Sequence, residues 1–406
     1  MRIAVFVAAG LVVLTSFLHA QSDDDDDDET DYFPLVPTGS SLRFGLRYVG
    51  GPKVAFHDVG GIPPTVDTPG ASDISYHSYN DGYVGPATST YTDSAGHPRN
   101  DGLTNNWQAN FAGQVVTDTT PFNPSNLSSN QGIAFHTYTT TSETSGHLVN
   151  GKTTDASGWE LQVGRSLGKI ARKVDVSLVV GFSFSGFRSK NSGDVTSLLT
   201  TLTDVYSLSG LDAPTSFPAT FPTSDTQTVY DSNGQPKLTP TGGNVTVTTD
   251  NSTTLALNPT RTVSTTNADG TPSKVDVTGL WQIKGAYYTI SLGPVFQFPI
   301  TERFKFSVGF GPAAMLVGST YTANERAFIE DVSTMLEYGG TKTHTVLLPA
   351  WFANADAEYW LTERTGLYLG ATYQKSQGIS QTLGNRTATI DLGTTSGLTS
   401  GLTMRF

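Results

Sequence analysis

The sequence predicts an all-β fold, a transmembrane up-and-down antiparallel β-barrel, read as eight strands with ten to twelve left open. Three observations predict it. Several segments alternate apolar with small or polar residues over about ten positions, the length a tilted strand needs to cross a bilayer. The chain opens on an apolar leader and ends its last alternating segment on an aromatic residue, Phe406. Cysteine is absent, and no apolar run after residue 20 is long enough for a spanning helix. A chain that enters a bilayer without such a helix must close its backbone hydrogen bonds as a barrel.

The leader and the segment behind it come first. Arg2 supplies a positive start, Ile3 to Phe17 an apolar run, and Leu18-His19-Ala20 a cleavage site, so residues 1–20 read as a removable signal peptide. Residues 21–38 follow with Asp23–Asp28, Glu29 and Asp31. That run reads as a disordered, self-repelling spacer rather than a cation site, and it carries most of the net charge of −12. The rest of the chain is nearly balanced, and no basic patch exists to neutralise phosphates, so nucleic acid is not expected as a partner. Residues 39–406 are assigned to the barrel and its loops.

A first strand places Leu42, Phe44, Leu46 and Tyr48 on one face, with Arg43, Gly45 and Arg47 between them. A hairpin follows: Trp159, Leu161, Val163 and Leu167 alternate with Glu160, Gln162, Gly164 and Ser166, while Arg165 interrupts the apolar face. After the turn Lys169–Arg172, the residues Val174, Val176, Leu178, Val180, Phe182 and Phe184 oppose Asp175, Ser177, Gly181, Ser183 and Ser185. The next hairpin runs from Tyr288 through Phe296 and Phe298, turns at 299–303, and returns from Phe304 to Leu316. Its successor runs from Leu347 to Leu361 and returns through Leu367, Leu369, Ala371 and Tyr373. The two turns are near-copies, Ile300-Thr301-Glu302-Arg303 and Leu361-Thr362-Glu363-Arg364. A last strand is read from Ile390 to Phe406.

Short turns therefore lie on one rim, and on the other stand loops at 57–156, 188–279, 318–344 and 376–387. Long loops of this kind usually carry function. In the second, Val195, Leu198, Leu199, Leu202 and Val205 form a stripe that predicts a short amphipathic helix. In the first, Trp107, Ala109, Phe111 and Val115, answered by 133–141, offer a strand pair that would make ten strands.

The hairpins at 159–187, 288–317 and 345–375, with the terminal Gly401-Leu402-Thr403-Met404-Arg405-Phe406, resemble small eight-stranded Gram-negative outer-membrane β-barrel proteins. That class includes the membrane domain of the major barrel-anchor protein, and the resemblance covers about half of this chain. It implies a place in the outer membrane, with the lipid bilayer as partner; unlike the anchor-type members, this sequence is expected to carry no periplasmic domain after the barrel. It also implies that the barrel-assembly machinery reads Leu398, Leu402, Met404 and Phe406.

The alternation places nine charges in the lumen: Arg43, Arg47, Lys305 and Arg405 with Glu160, Asp175, Asp356, Glu358 and Asp391. Eight strands leave an interior just wide enough for side chains, so these charges must pair. A closed, salt-bridged core is expected; the rival is a narrow pore. Phe296, Phe298, Phe304 and Tyr359, with Phe406, are placed at the lipid–water interface. Gly146–Thr153 spells a phosphate-loop pattern, but Thr154–Gly158 does not begin the helix that chemistry needs. His57, His77, His97, His136, His147 and His344 have no metal-site spacing and read as solvated loop residues. No nucleophile stands out among the many Ser and Thr. The expected role is therefore non-enzymatic, without cofactor or metal: a surface, envelope-structural or adhesion role through loops whose ligand is unknown. A small porin is the alternative, and a lipid-modifying enzyme a third reading.

Overall fold

The computed structural model describes residues 39–86, 102–104, 106–117, 131–143, 149–153, 155–171, 174–208, 213–214, 217–220, 225–228, 246–249 and 255–406. The leader, the acidic segment, His97 and residues 146–148, which include His147, lie outside the described residues.

The main elements are strands: β1 (Ser40–Val49), β2 (Lys53–His57), β3 (Gln131–Ser142), β4 (Ala156–Ala171), β5 (Val174–Ser207), β6 (Thr260–Ser264), β7 (Lys274–Pro299), β8 (Phe304–Ile329), β9 (Thr334–Trp360), β10 (Thr365–Lys375), β11 (Ile379–Leu383), β12 (Arg386–Asp391) and β13 (Thr395–Arg405). Antiparallel pairing runs β1–β4–β5–β7–β8–β9–β10–β13 and back to β1, so the sheet closes into a ring. A closed ring leaves no unpaired edge where it is complete. At the rim of short turns, the Phe406 amide donates to the Ser40 carbonyl at 3.0 Å and the Ser40 amide to the Phe406 carbonyl at 3.2 Å. The two near-copy turns fold alike. Thr301 Oγ1 accepts from the amides of Arg303 and Phe304, and Thr362 Oγ1 from those of Arg364 and Thr365.

The ring is lopsided. β1, β10 and β13 have 10 or 11 residues and β4 has 16, whereas β5, β7, β8 and β9 have 26 to 34 and rise as a tall wall. Along that wall the alternation changes phase. In lower β7 the outward residues are Tyr288, Ile290, Leu292, Phe296 and Phe298, and Thr289 and Gly293 are buried. Above Tyr288 the apolar residues turn inward as Val277, Trp281, Ile283 and Tyr287, while Lys274, Asp276, Thr278 and Lys284 face out. β8 does the same. Phe304, Phe306, Phe310 and Ala314 face out below, and Met315, Val317, Tyr321 and Ala323 are buried above. An outward surface changes from apolar to polar where lipid gives way to water, and an inward surface becomes apolar where something dry fills it. At about 3.3 Å per residue and about 40° of tilt, Tyr288–Phe298 climbs roughly 25 Å, the height of the apolar band of a membrane barrel.

The upper interior is filled by β2 and by the β11–β12 hairpin, which pair with each other. Their Val54, Phe56, Ile379, Ala388 and Ile390 pack on Trp281, Ile283, Met315, Val317 and Tyr321 of the wall. Above the ring, β5 continues to pair with β3 and β6, and a second core forms around Trp107, Phe135, Tyr206 and Leu255.

Four expectations are corrected. Val195 to Val205 is not helical but lies within β5. Val195, Ser197 and Leu199 share one buried face of the strand, in register with β7 and β3, and long-range pairing overrides the helix-like spacing. The connection read as 188–279 is shorter, because β5 runs to Ser207 and β7 starts at Lys274; the inverted upper alternation hid both ends. The loop read as 376–387 and the start of the last strand read at Ile390 belong instead to the β11–β12 hairpin, and β13 begins at Thr395. Finally, β3 and Trp107–Ala109 are strands, but among the described residues they lie outside the ring.

Candidate functional site

The lumen is the site the topology builds, and it is occupied at two levels. The lower level hangs on β1, whose alternation turns Arg43 and Arg47 inward, at 6% and 4% exposure. Arg43 donates from Nη1 to Asp356 Oδ2 at 3.1 Å and from Nη2 to Ser307 Oγ at 3.3 Å, and it pairs with Glu358. Asp356 and Glu358 share one face of β9, two residues apart, so one guanidinium spans both. Asn354 Nδ2 donates a further bond to Asp356 at 2.8 Å. Arg47 donates to Ser183 Oγ at 3.2 Å and to Gln374 Oε1 at 2.7 Å. The Tyr368 hydroxyl donates to Glu160 Oε1 at 2.9 Å, while Arg43 lies 5.7 Å from the Tyr368 ring centroid. Two glycines make room: a Cβ at Gly370 would run into the Asp356 carboxylate, and one at Gly45 into the Tyr368 hydroxyl. The space left among Arg47, Glu160, Ser183, Asp356 and Gln374 is about 30 Å³. That is about one water's share of volume, too small for an organic solute.

Near the short-turn rim, Arg405 and Lys305 lie 3.9 and 5.8 Å from the Trp360 ring centroid. Asp175 of β5 stands at the same rim, opposite Lys169 of β4 and Gln297 of β7 in the register. Asp391 is corrected: it ends β12, is exposed, stands opposite Lys53 and accepts from the Gly393 amide, so it is not in this network. On the outer face, Phe298, Phe304, Tyr359 and Phe406 are exposed, and Phe296 stacks on Phe310 with centroids 6.2 Å apart. Leu398, Leu402 and Met404 are likewise outward on β13.

The upper level was not foreseen from the sequence. Glu325 of β8 is fully buried and accepts four hydrogen bonds. Its Oε1 takes Trp281 Nε1 at 2.7 Å and the Gly60 amide at 3.0 Å; its Oε2 takes Arg386 Nε at 2.8 Å and Nη2 at 2.5 Å. Arg386 Nη2 also donates to the Gly61 carbonyl at 2.6 Å, and the guanidinium lies 3.5 Å from the Tyr338 ring centroid. One ion pair thus ties the wall, the chain at 60–61 and the β11–β12 hairpin together. Phe56 stacks on Tyr321 beside it at 5.7 Å. Glu325 and Arg386 fall in the segments 318–344 and 376–387 that the sequence reads as loops. The available signal was the inward alternation from Met315 to Ala327, with Glu325 as its one charge.

In the head, the second core above the ring, Arg261 grips Asp204 with both Nε and Nη2, at 2.7 and 2.6 Å. Tyr79 donates to Asp204 at 2.6 Å and meets Tyr206 at 2.8 Å. Burial pushes both tyrosine hydroxyls well above their ordinary range, so they remain donors, while the bond to Asp204 raises Arg261. The histidine reading needs correction here. His77 is buried against Tyr79 and the Asp73 carbonyl, and His136 bonds Asp81 at 2.6 Å, because β3 and its neighbours form a core rather than a loop. Among the described residues, no group of three or more His, Asp or Glu could hold a metal ion.

The fold and lumen define a class: a closed antiparallel ring of strands, filled below by charges and above by an apolar plug. No family model and no curated protein matches the chain. Among solved structures it is similar to the outer membrane protease OmpT from Escherichia coli, at 10% identity and a TM-score of 0.31 over 93% of this chain and 100% of that one. It is also similar to Ail, the attachment invasion locus protein of Yersinia pestis, solved with the heparin analogue sucrose octasulfate. There the identity is 8% and the TM-score 0.21, over 91% and 99% of the two chains. Likenesses this distant say nothing about what this chain does.

Proposed function

We propose that this chain is an outer-membrane protein whose eight ring strands form a sealed anchor. The anchor holds a surface head that acts by recognition or adhesion rather than by conduction or catalysis. One observation carries the reading: the lumen is blocked twice, by Arg43 between Asp356 and Glu358 and again by the plug locked through Glu325 and Arg386. A pore needs a continuous wet path, and paired charges separated by about one water's volume do not give one. The lipid-facing band on β7 and β8, the leader and the outward Leu398, Leu402, Met404 and Phe406 support the membrane setting. The head rests on an extension of the same strands that cross the bilayer, so it is held rigidly above the surface.

The experiment is conductance of the purified full-length protein in planar bilayers. The sealed anchor gives a silent membrane after insertion, verified by a folded band that shifts on boiling. Steady single-channel steps would instead establish the porin reading.

A further inference from the structure

At the base of the head, β5 runs on past the level where β7 begins, Leu198 being the last residue in register with Lys274. There the sheet of β3, β5 and β6 holds a cleft of about 330 Å³. Two rows of the sheet form its floor. Thr139 of β3 stands opposite Thr200 of β5, and in the next row Thr137, Leu202 and Val263 line up across β3, β5 and β6. The chain at 64–68 forms its wall, with Pro64, Val66, Asp67 and Thr68 turned to the floor. The volume lies at the low end of the range of about 300–1,000 Å³ usual for small-ligand sites, so it suits one small ring rather than a long chain.

The wall is pinned at both ends. The Ile62 amide donates to Thr140 Oγ1 at 2.8 Å, and Arg261 Nη2 donates to the Pro69 carbonyl at 2.8 Å. Between them the Thr68 hydroxyl donates to the Ser78 carbonyl at 3.1 Å and meets the Thr137 hydroxyl at 2.8 Å, while the Ser78 amide donates to the Asp67 carbonyl at 3.0 Å. Pro63, Pro64 and Pro69 fix their own φ angles along the same stretch. A cleft held this way is formed before any ligand arrives, so binding loses little to ordering.

The lining sets the ligand's chemistry. Asp67 is its one charged residue among the described residues, and its side chain is exposed. Opposed threonines often bond each other, as Thr322 and Thr341 do at 3.1 Å on the outer face of β8 and β9. Thr139 and Thr200 do not, and their hydroxyls remain open to the cleft beside Val66, Leu202 and Val263, the last 62% exposed. A lone carboxylate repels anions. A wholly apolar ligand would strip water from the hydroxyls and return no bond. A sugar ring meets both demands: its hydroxyls donate to the carboxylate and exchange bonds with the threonines, and its C–H face packs on the aliphatic side chains. We infer that this cleft binds a neutral saccharide, taking one terminal sugar residue through Asp67, Thr139 and Thr200. The inference rests on the recognition reading of the head, for which it names the class of ligand.

The test uses the full-length protein in phosphatidylcholine nanodiscs, with saturation-transfer NMR and calorimetry against the methyl glycosides of glucose, galactose, mannose and N-acetylglucosamine. At least one glycoside should bind the wild type, and T139V/T200V and D67N should each weaken it about tenfold. Valine keeps the shape and β-branching of threonine, so the double variant should retain the boiling-sensitive folded band. T322V/T341V, which alters the opposed pair on β8 and β9, should bind as wild type. Absence of binding by every glycoside, or unchanged affinity in T139V/T200V, overturns the inference. So does butylammonium bound as tightly as the best glycoside, which would make the cleft an amine site. Steady ion conductance would overturn the recognition reading itself, and that measurement is made without any sugar.

Discussion

Arg43→Met removes one buried cation and strands two carboxylates. Asp356 and Glu358 are 2% and 1% exposed and lie on the same face of β9, so without the guanidinium they repel each other across a dry lumen. Breaking a buried pair by removing one partner costs about 3–5 kcal/mol. At about 1.4 kcal/mol per tenfold, that lowers the folded-to-unfolded ratio by roughly 10² to 10⁴. The assay is urea unfolding of protein folded into phosphatidylcholine vesicles, followed by the boiling-sensitive gel shift and by tryptophan fluorescence. A companion variant, R43M/D356N/E358Q, removes the charges that Arg43 neutralises and should recover most of the loss. A loss below about 1 kcal/mol for R43M, or a triple variant no more stable than the single one, would show that the lower network is solvated and the lumen open.

Further outcomes follow from the same geometry. Glu325→Gln leaves the Arg386 charge buried without its counter-ion, at about 3–5 kcal/mol. Hydrogen exchange at 379–391 should accelerate at least a hundredfold while amides of the lower strands stay protected, and uniform exchange would refute a separately locked plug. Phe406→Ala should reduce insertion several-fold when the assembly machinery is supplied, yet leave spontaneous insertion into short-chain vesicles unchanged. Equal loss in both would assign Phe406 to stability rather than to recognition.

The lower halves of the ring strands were legible because lipid imposes one rule on every outward position. Phe304, Phe306, Phe310 and Leu316 had to be apolar, and the small or polar residues between them had to face in. The charged side chains Arg43, Arg47, Glu160, Asp356 and Glu358 followed from that parity. Above Tyr288 the rule reverses, since water lies outside and the plug inside. Segments such as 274–279 and 318–329 then lose their outward apolar signature and read as loops. What fills them comes from far along the chain: Phe56 meets Tyr321, and Arg386 reaches Glu325. No local window contains both partners. Asp391 failed for a related reason, because the stretch from Ile390 keeps the parity of β13 while belonging to a different sheet. The helical reading of Val195–Val205 shows the same limit, as five apolar residues at helix-like spacing also fit a strand in which Leu198, Leu199 and Leu202 face Thr141, Thr140 and Thr137.

The exchange of faces along the tall wall is the claim on which anchor, plug and head all depend, and single-cysteine labelling tests it most directly. The chain has no cysteine, so each one introduced is the sole thiol. In vesicle-inserted protein, cysteines at Ile290 and Leu292 should resist a water-soluble maleimide while a fluorophore placed there is quenched by brominated lipid. Cysteines at Lys284 and Thr278 should label rapidly, and those at Ile283 and Tyr321 should be protected from both reagent and lipid. Rapid labelling at Ile283 and Tyr321, or lipid quenching that continues up to Thr278, would contradict the account.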